Sequence, residues 1–280
     1  MIGETMIIAT TPAQLVEALK PLQGDIGLVM TMGALHEGHL SLVEAARRES
    51  DHVVVSIYVN PLQFGPGEDY EAYPRDLEGD VAKLDGVDVV FAPTDEAMYP
   101  RTPLVRIDPG PVATILEGKT RPTHFAGVLQ VVHKVFNLVR PRAAWFGQKD
   151  AQQLALIRTM VADLNMPLDI KSVSIKREPS GLAMSSRNSY LSDVEKEQAL
   201  GLSQALAAGK RVADAGGSAA QTLAVARESL AHAPGIKVDY LELVDRDTFT
   251  QLNGSGNGLL VTAAWVGTTR LIDNLEVMIG

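Results

Sequence analysis

The sequence predicts an α/β protein in which a parallel sheet is covered on both faces, followed by a smaller α+β domain. Three observations carry this. Strand-like apolar runs alternate with helix-like stretches from residue 26 to 175. The runs are apolar throughout, as in VVVSIYV from Val53, instead of alternating in polarity, which is the pattern of parallel strands buried on both sides. After Lys176 the texture changes, with helices first and then strands that have no helices between them. At 280 residues and 46% hydrophobic content, the chain is long enough for two cores.

The first strand, 26 to 31, is read from Ile26, Leu28, Val29 and Met30. The helix after it, 39 to 50, is read from Leu40, Leu42, Val43 and Ala46, whose three- and four-residue spacings make one apolar face. Strands follow at 53 to 59, 87 to 92, 143 to 147 and 168 to 175, separated by helices at 74 to 85, 126 to 139 and 150 to 165. The loop REPSGLAMSSRN then leads to Ala-rich helices at 192 to 214 and 218 to 232. KVDYLELV, GLLVTAAWV and TTRLIDNLEV read as a small antiparallel sheet. The expected domains are therefore 1–176 and 177–280. GGSAA near 216 and NGSGNG at 253–258 are turns.

Composition narrows the function. A formal charge of −9 argues against a general nucleic-acid surface, which needs clustered Lys and Arg. Anionic ligands must therefore meet local positive groups. The absence of cysteine fits a reducing compartment. The start MIGETMIIATTPAQ has neither a basic nor a long apolar segment, so the expectation is a cytoplasmic protein.

The most informative stretch is TMGALHEGHLSLV, Thr31 to Val43, where a strand hands over to a helix. Unpaired N–H groups and the positive end of the dipole make such a turn a seat for phosphate. Gly33 and Gly38 keep it bare, while His36 and His39 flank the anion. A second positive charge beside the dipole is disfavoured, which biases these imidazoles toward the neutral form, still able to donate an N–H bond. An H-x-x-H pair also occurs as half of a metal site. With no cysteine, and with His52, His124, His133 and His232 in unrelated contexts, nucleotide binding is the favoured reading.

Three further clusters fall at strand ends or in a loop. Asn60 and Gln63 follow the second strand, and their amides suit a small hydroxylated acid. In AWFGQKDAQQL, Lys149 supplies a compact positive charge and Gln153 lies one helical turn on. In GLAMSSRN, two hydroxyls accompany Arg187, which can grip two phosphate oxygens at once. LEGKT, by contrast, imitates the end of a P-loop but has Ala113 where the pattern needs glycine, and no clear strand precedes it.

Taken in order, TMGALHEGH, YVNPLQF, RPTHFAGVLQVVHKVFNLV, FGQKDAQQ, GLAMSSRNSYLS and TRLIDN resemble the pantothenate synthetase family, the ligases that join pantoate to β-alanine. The His-x-Gly-His turn alone would equally suit a nucleotidyltransferase acting on another small acid or phosphate. The resemblance implies a Rossmann-like sheet of the HxGH nucleotidyltransferase type, a C-terminal lid, a homodimer, and a reaction using ATP and Mg²⁺. It places the nucleotide on Met32, Gly33, Ala34, Leu35, His36, Glu37, Gly38 and His39, on Gly147, Gln148, Lys149 and Asp150, and on Met184, Ser185, Ser186 and Arg187. Lys176, which stands where an apolar residue is usual near the adenine, is expected to act through its backbone. Gln63, Gln153 and Asn60 are expected to hold pantoate. His39 would be the proton donor or charge stabiliser, with His36, Lys149 and Arg187 stabilising the phosphates, and Asp80 is the expected metal ligand.

Overall fold

The computed structural model describes residues 6–280. The chain forms two compact units. One holds the chain up to Gln148 together with Leu156–Ser174, and the other holds Lys149–Ala155 together with Ile175–Gly280. Relative to a single cut after residue 176, the segment Lys149–Ala155 groups with the second unit.

In the first unit the elements run β1 (Ile7–Ala9), α1 (Pro12–Leu19), β2 (Ile26–Thr31), α2 (Glu37–Glu49), β3 (His52–Ile57), α3 (Leu77–Val81), β4 (Val89–Phe91), α4 (Asp95–Met98), α5 (Glu117–Thr120), α6 (His124–Val139) and β5 (Ala143–Gly147). They continue with α7 (Ala151–Asp163) and β6 (Asp169–Val173). The six strands pair in parallel in the order β1-β4-β3-β2-β5-β6. β2 lies between β3 and β5, so the chain departs from it in opposite directions, and its carboxyl end is the switch point at which such sheets bind ligands.

Alternate side chains along each strand serve opposite layers. Val29, Val53, Val55, Ile57, Ala143 and Trp145 pack with Leu42, Val43 and Ala46 of α2. Phe146, one residue beyond Trp145, meets Phe136 of α6 instead, with ring centroids 6.3 Å apart. Burial on both faces explains why these strands are apolar without alternation.

The sequence reading missed β1 and α1. β1 is a three-residue edge strand whose first two residues are exposed, so it has no periodicity to detect. α1 did carry a signal, since Thr11 caps it by accepting from Gln14 N at 3.2 Å and proline opens it. α3 is shorter than the expected 74–85 because Asp76 accepts from Gly79 N at 2.9 Å and starts the helix there. In the LEGKT segment Glu117–Thr120 form the short α5, which a 3₁₀ turn at Pro111–Thr114 and not a strand directly precedes.

The second unit contains α8 (Asp193–Asp214), α9 (Ala219–Ala231) and the antiparallel strands β7 (Ile236–Asp245), β8 (Gly256–Val266) and β9 (Thr269–Ile279), in the order β7-β8-β9. Reciprocal capping boxes start both helices, Ser192 with Glu195 and Ser218 with Gln221. The core joins Ala205, Leu206, Ala226 and Leu230 of the helices to Leu241, Leu243, Leu260 and Val277 of the sheet. No helix of the described residues is long and apolar enough to cross a membrane.

Candidate active site

At the end of β2 the backbone turns sharply. Gly33 and Ala34 both adopt positive φ, 87° and 50°, and the second is uncommon for a residue with a Cβ. The turn is held from α3. Asp80, 1% exposed, accepts from Ala34 N through Oδ2 at 2.8 Å and from Leu35 N through Oδ1 at 2.7 Å. Lys83 closes the clamp by donating to Leu35 O at 2.9 Å, and its Nζ lies 3.4 Å from Asp80 Oδ1.

The two histidines cap α2 in an unusual way. His36 Nδ1 accepts from Gly38 N at 3.1 Å, and His39 Nδ1 accepts from His36 N at 3.3 Å. A ring nitrogen that accepts cannot carry a proton, so each neutral imidazole bears its hydrogen on Nε2. The rings stand 4.1 Å apart between centroids, inclined by 31°. The helix start is therefore closed by the two rings themselves, each holding a backbone N–H through Nδ1.

Beyond β3, a 3₁₀ turn at Pro61–Gln63 carries the expected acid-binding amides. Asn60, 1% exposed, spends every hydrogen-bonding site inside the protein. Its Nδ2 donates to Gln63 Oε1 and to Gly127 O, both at 3.1 Å, while its Oδ1 accepts from Tyr99 OH at 3.1 Å and Leu62 N at 3.4 Å. Asn60 thus aims Gln63 and has no atom left for a ligand, which corrects its expected role as a direct contact. Gln63 directs its Nε2 to Met32 Sδ at 2.9 Å, joining the β2 and β3 loops.

The backbone of Gln63 is fixed as well. His124 Nδ1 donates to Gln63 O at 2.9 Å, Arg121 adds a longer bond at 3.3 Å, and Arg121 in turn reaches His124 Nε2 at 3.2 Å and Glu68 at 2.9 Å. Burial, with the Arg121 charge beside it, lowers the His124 pKa to about 4, so this ring is neutral with its proton on Nδ1. Gly127 allows the close approach, since a Cβ there would lie 2.1 Å from Leu62 O. Burial and the neighbouring Asp95 push the Tyr58 and Tyr99 phenols up, which keeps both as donors. None of Lys83, Tyr99, His124 or Gly127 was singled out from the sequence. RPTHFAGV did place His124 and Gly127 together, but their joint approach to Gln63 is a tertiary fact.

In the second unit, Lys149 is partly exposed, with Nζ 3.9 Å from Asp150 Oδ1, and its carbonyl accepts from Asn274 Nδ2 at 2.9 Å. It follows Gly147 and Gln148, the last residue of β5 and the first of a 3₁₀ turn. Gln153 lies half-buried in α7, and its side chain makes no hydrogen bond among the described residues. Lys176 is exposed and offers its carbonyl to Met184 N at 2.9 Å. Ser185 caps the 3₁₀ turn Ser186–Tyr190 by accepting from Arg187 N at 3.3 Å, and Asn188 ties that turn to Glu178 and Ala183 O.

Asp80 does not fit the role of metal ligand expected from the sequence. Both oxygens are committed to backbone N–H groups, and an ammonium already supplies the neighbouring positive charge. Among the described residues, no group of three or more His, Cys, Asp or Glu is placed to hold a metal ion.

The doubly wound parallel sheet, with an HxGH turn at its switch point and a separate α+β unit, defines a nucleotidyltransferase-like α/β protein. The sequence model of pantoate–β-alanine ligases matches residues 7–276, and the chain belongs to that family. It is 51% identical to the pantothenate synthetase of Thermobifida fusca over 96% of this chain and 95% of that protein, and 54% identical to the one of Corynebacterium jeikeium over 95% and 87%. The crystal structure of pantothenate synthetase from Thermus thermophilus superposes with a TM-score of 0.94 at 47% identity, covering 98% of this chain and 100% of that one. Pantoate–β-alanine ligase from Francisella tularensis, complexed with β-γ ATP and β-alanine, gives a TM-score of 0.81 at 37% identity and 97% coverage of both chains.

Proposed function

We infer that this chain joins pantoate to β-alanine at the expense of ATP, through a pantoyl adenylate. The pantoate carboxylate attacks the α-phosphorus and pyrophosphate leaves. The β-alanine amine then attacks the acyl carbon, loses a proton and expels AMP. Neither step needs a covalent link to the protein.

The observation that carries this reading is the paired capping of α2 by His36 and His39. With both Nδ1 atoms taken by backbone N–H groups, the two rings are fixed beside the helix start, where an anion is favoured. Charge growing on the phosphate oxygens is met by donors that need no rearrangement, often the largest contribution to catalysis. The remaining nucleotide residues of Met32–His39 act through the turn itself. Lys149 and Arg187 add positive charge, Gly147, Gln148 and Asp150 frame Lys149, and Ser185 and Ser186 give hydroxyls. Lys176 and Met184 serve adenine through backbone atoms. Gln63 and Gln153 hold pantoate, with Asn60 orienting Gln63.

The region 177–280 serves as the lid that the resemblance implies. With Asp80 committed to backbone N–H groups, a Mg²⁺ of the kind the resemblance implies would be held largely by phosphate oxygens and water, and would offset the charge of the triphosphate. The cysteine-free composition supports a cytoplasmic setting. The homodimer implied by the resemblance is checked by sedimentation of the purified chain.

The deciding experiment is ATP–pyrophosphate exchange. It should require pantoate, proceed without β-alanine, and slow by roughly 10²-fold or more in His39→Ala. Exchange at the normal rate in that variant would remove His39 from the chemistry. A stable nucleotidylated product with both acids present would favour a nucleotidyltransferase instead.

A further inference from the structure

Asp273 and Asn274 of β9 have no part in the ligation as described, yet both are nearly sealed from solvent, 4% and 5% exposed, among strands that are otherwise largely apolar. Buried polar side chains are costly unless their atoms find partners. The partners here are specific. Asp273 takes both arms of Arg177, at 2.7 and 2.9 Å, and Arg177 also donates to Gly181 O at 3.1 Å. Asn274 sends its amide to a main-chain oxygen 125 residues earlier, Lys149 O, at 2.9 Å.

Two consecutive residues therefore hold two segments of phosphate-directed chemistry. Asp273 secures the turn 177–183 that leads into Met184–Arg187, and Asn274 secures the backbone from which the Lys149 ammonium extends. A lysine ammonium rides on a flexible four-carbon stem, so fixing the backbone it springs from narrows the region its charge can reach. A hydrogen bond to the residue's own carbonyl fixes the adjoining peptide plane without occupying the ammonium.

We propose that Asn274 is a positioning residue for Lys149 in adenylate formation. This rests on the reading of Lys149 given under Proposed function. Asn274 touches no reacting atom; it acts by holding the Lys149 backbone so that the ammonium meets the triphosphate in one geometry. Small displacements of such a group cost far more in rate than in binding of the other substrate.

The test is a double-mutant cycle on pantoate-dependent ATP–pyrophosphate exchange with Asn274→Ala, Lys149→Ala and the pair, each checked for folding by thermal melting. Asn274→Ala should lower kcat about 10-fold and leave KM for pantoate unchanged. The pair should be no slower than Lys149→Ala alone, because the residue being positioned is gone. If Asn274→Ala does not fold, Asn274→Asp, which keeps the shape but turns an acceptor toward the carbonyl, enters the same cycle with the same expectation. Full additivity of the two losses, or a normal kcat in the folded variant, overturns the proposal while leaving the role of Lys149 intact. Normal exchange in Lys149→Ala would overturn both.

Discussion

Gly127→Ala tests the link between fold and chemistry most directly. A methyl group at that position would lie 2.1 Å from Leu62 O, 2.3 Å from Leu62 C and 2.5 Å from Gln63 N, all backbone atoms that cannot swing aside. Since Cβ contacts below 3.0 Å essentially do not occur, the turn must retreat from α6 by at least 0.9 Å, the difference between 3.0 and 2.1. Overpacking costs about 1–3 kcal/mol, and replacing glycine by alanine inside a helix returns about 1 kcal/mol. The net stability loss should therefore be about 0–2 kcal/mol, small enough to leave the protein folded. The displaced turn carries Gln63, and Asn60 bonds to Gly127 O on one side and to Gln63 on the other. A misplacement near 1 Å is worth roughly 10²-fold in rate. Steady-state kinetics with pantoate varied should show kcat/KM for pantoate down by about that factor, with KM for ATP little changed. A folded variant with normal pantoate kinetics would refute the argument that α6 sets the position of Gln63.

Two other outcomes are expected. In Asp80→Asn, one buried oxygen becomes an N–H₂ facing a backbone N–H, so thermal or urea denaturation should show about 1–3 kcal/mol lost; adenylate formation should slow because the turn bearing His36 and His39 loosens, while the amount of divalent metal bound by the chain without ATP stays the same. For His124, the folded pKa of about 4 lies below the unfolded value near 6.5, so the unfolded chain binds the proton first and the stabilisation, complete above pH 6.5, drains away as pH falls toward 4. Urea midpoints should register roughly 2 kcal/mol lost between pH 7 and pH 5, and His124→Gln should abolish that slope. His52 works in the opposite sense, its pKa raised chiefly by the hydrogen bond to Asp88, so its contribution is present below pH 6.5 and is lost as pH rises through the folded value.

What the sequence disclosed and what it concealed follow from the range of the interactions. The β2–α2 junction is local: strand, bare turn and capping histidines lie within about a dozen consecutive residues, so periodicity and helix-end chemistry were enough to find it. The parallel sheet was legible for the same reason, because burial on both faces makes each strand apolar along its own length. β1 has only three residues, two of them exposed, and derives its identity from pairing with β4, some eighty positions away. Asp80 drew notice only through the resemblance, which implies acidic residues for metal on the helix after YPR. Only the fold shows its oxygens facing Ala34 and Leu35, 46 and 45 positions earlier.

The same distinction separates ligand-facing residues from those that hold them. Gln63, proposed to face the ligand, and Asn60, which supports it, carry chemically alike amides only three residues apart, so composition cannot assign their tasks. Counting hydrogen bonds can. Asn60 has two donors and an acceptor oxygen, and the donors and both lone pairs are engaged by Gln63, Gly127, Tyr99 and Leu62. Gln63 has its Oε1 held by Asn60 and its Nε2 aimed at a thioether, a weak acceptor that a carboxylate or hydroxyl of pantoate would outcompete. If Gln63 holds pantoate as proposed, this weak bond is the one that substrate would displace. On that proposal, replacing Met32 Sδ with a substrate oxygen would exchange a poor partner for a better one without disturbing Asn60, whose four bonds stay in place.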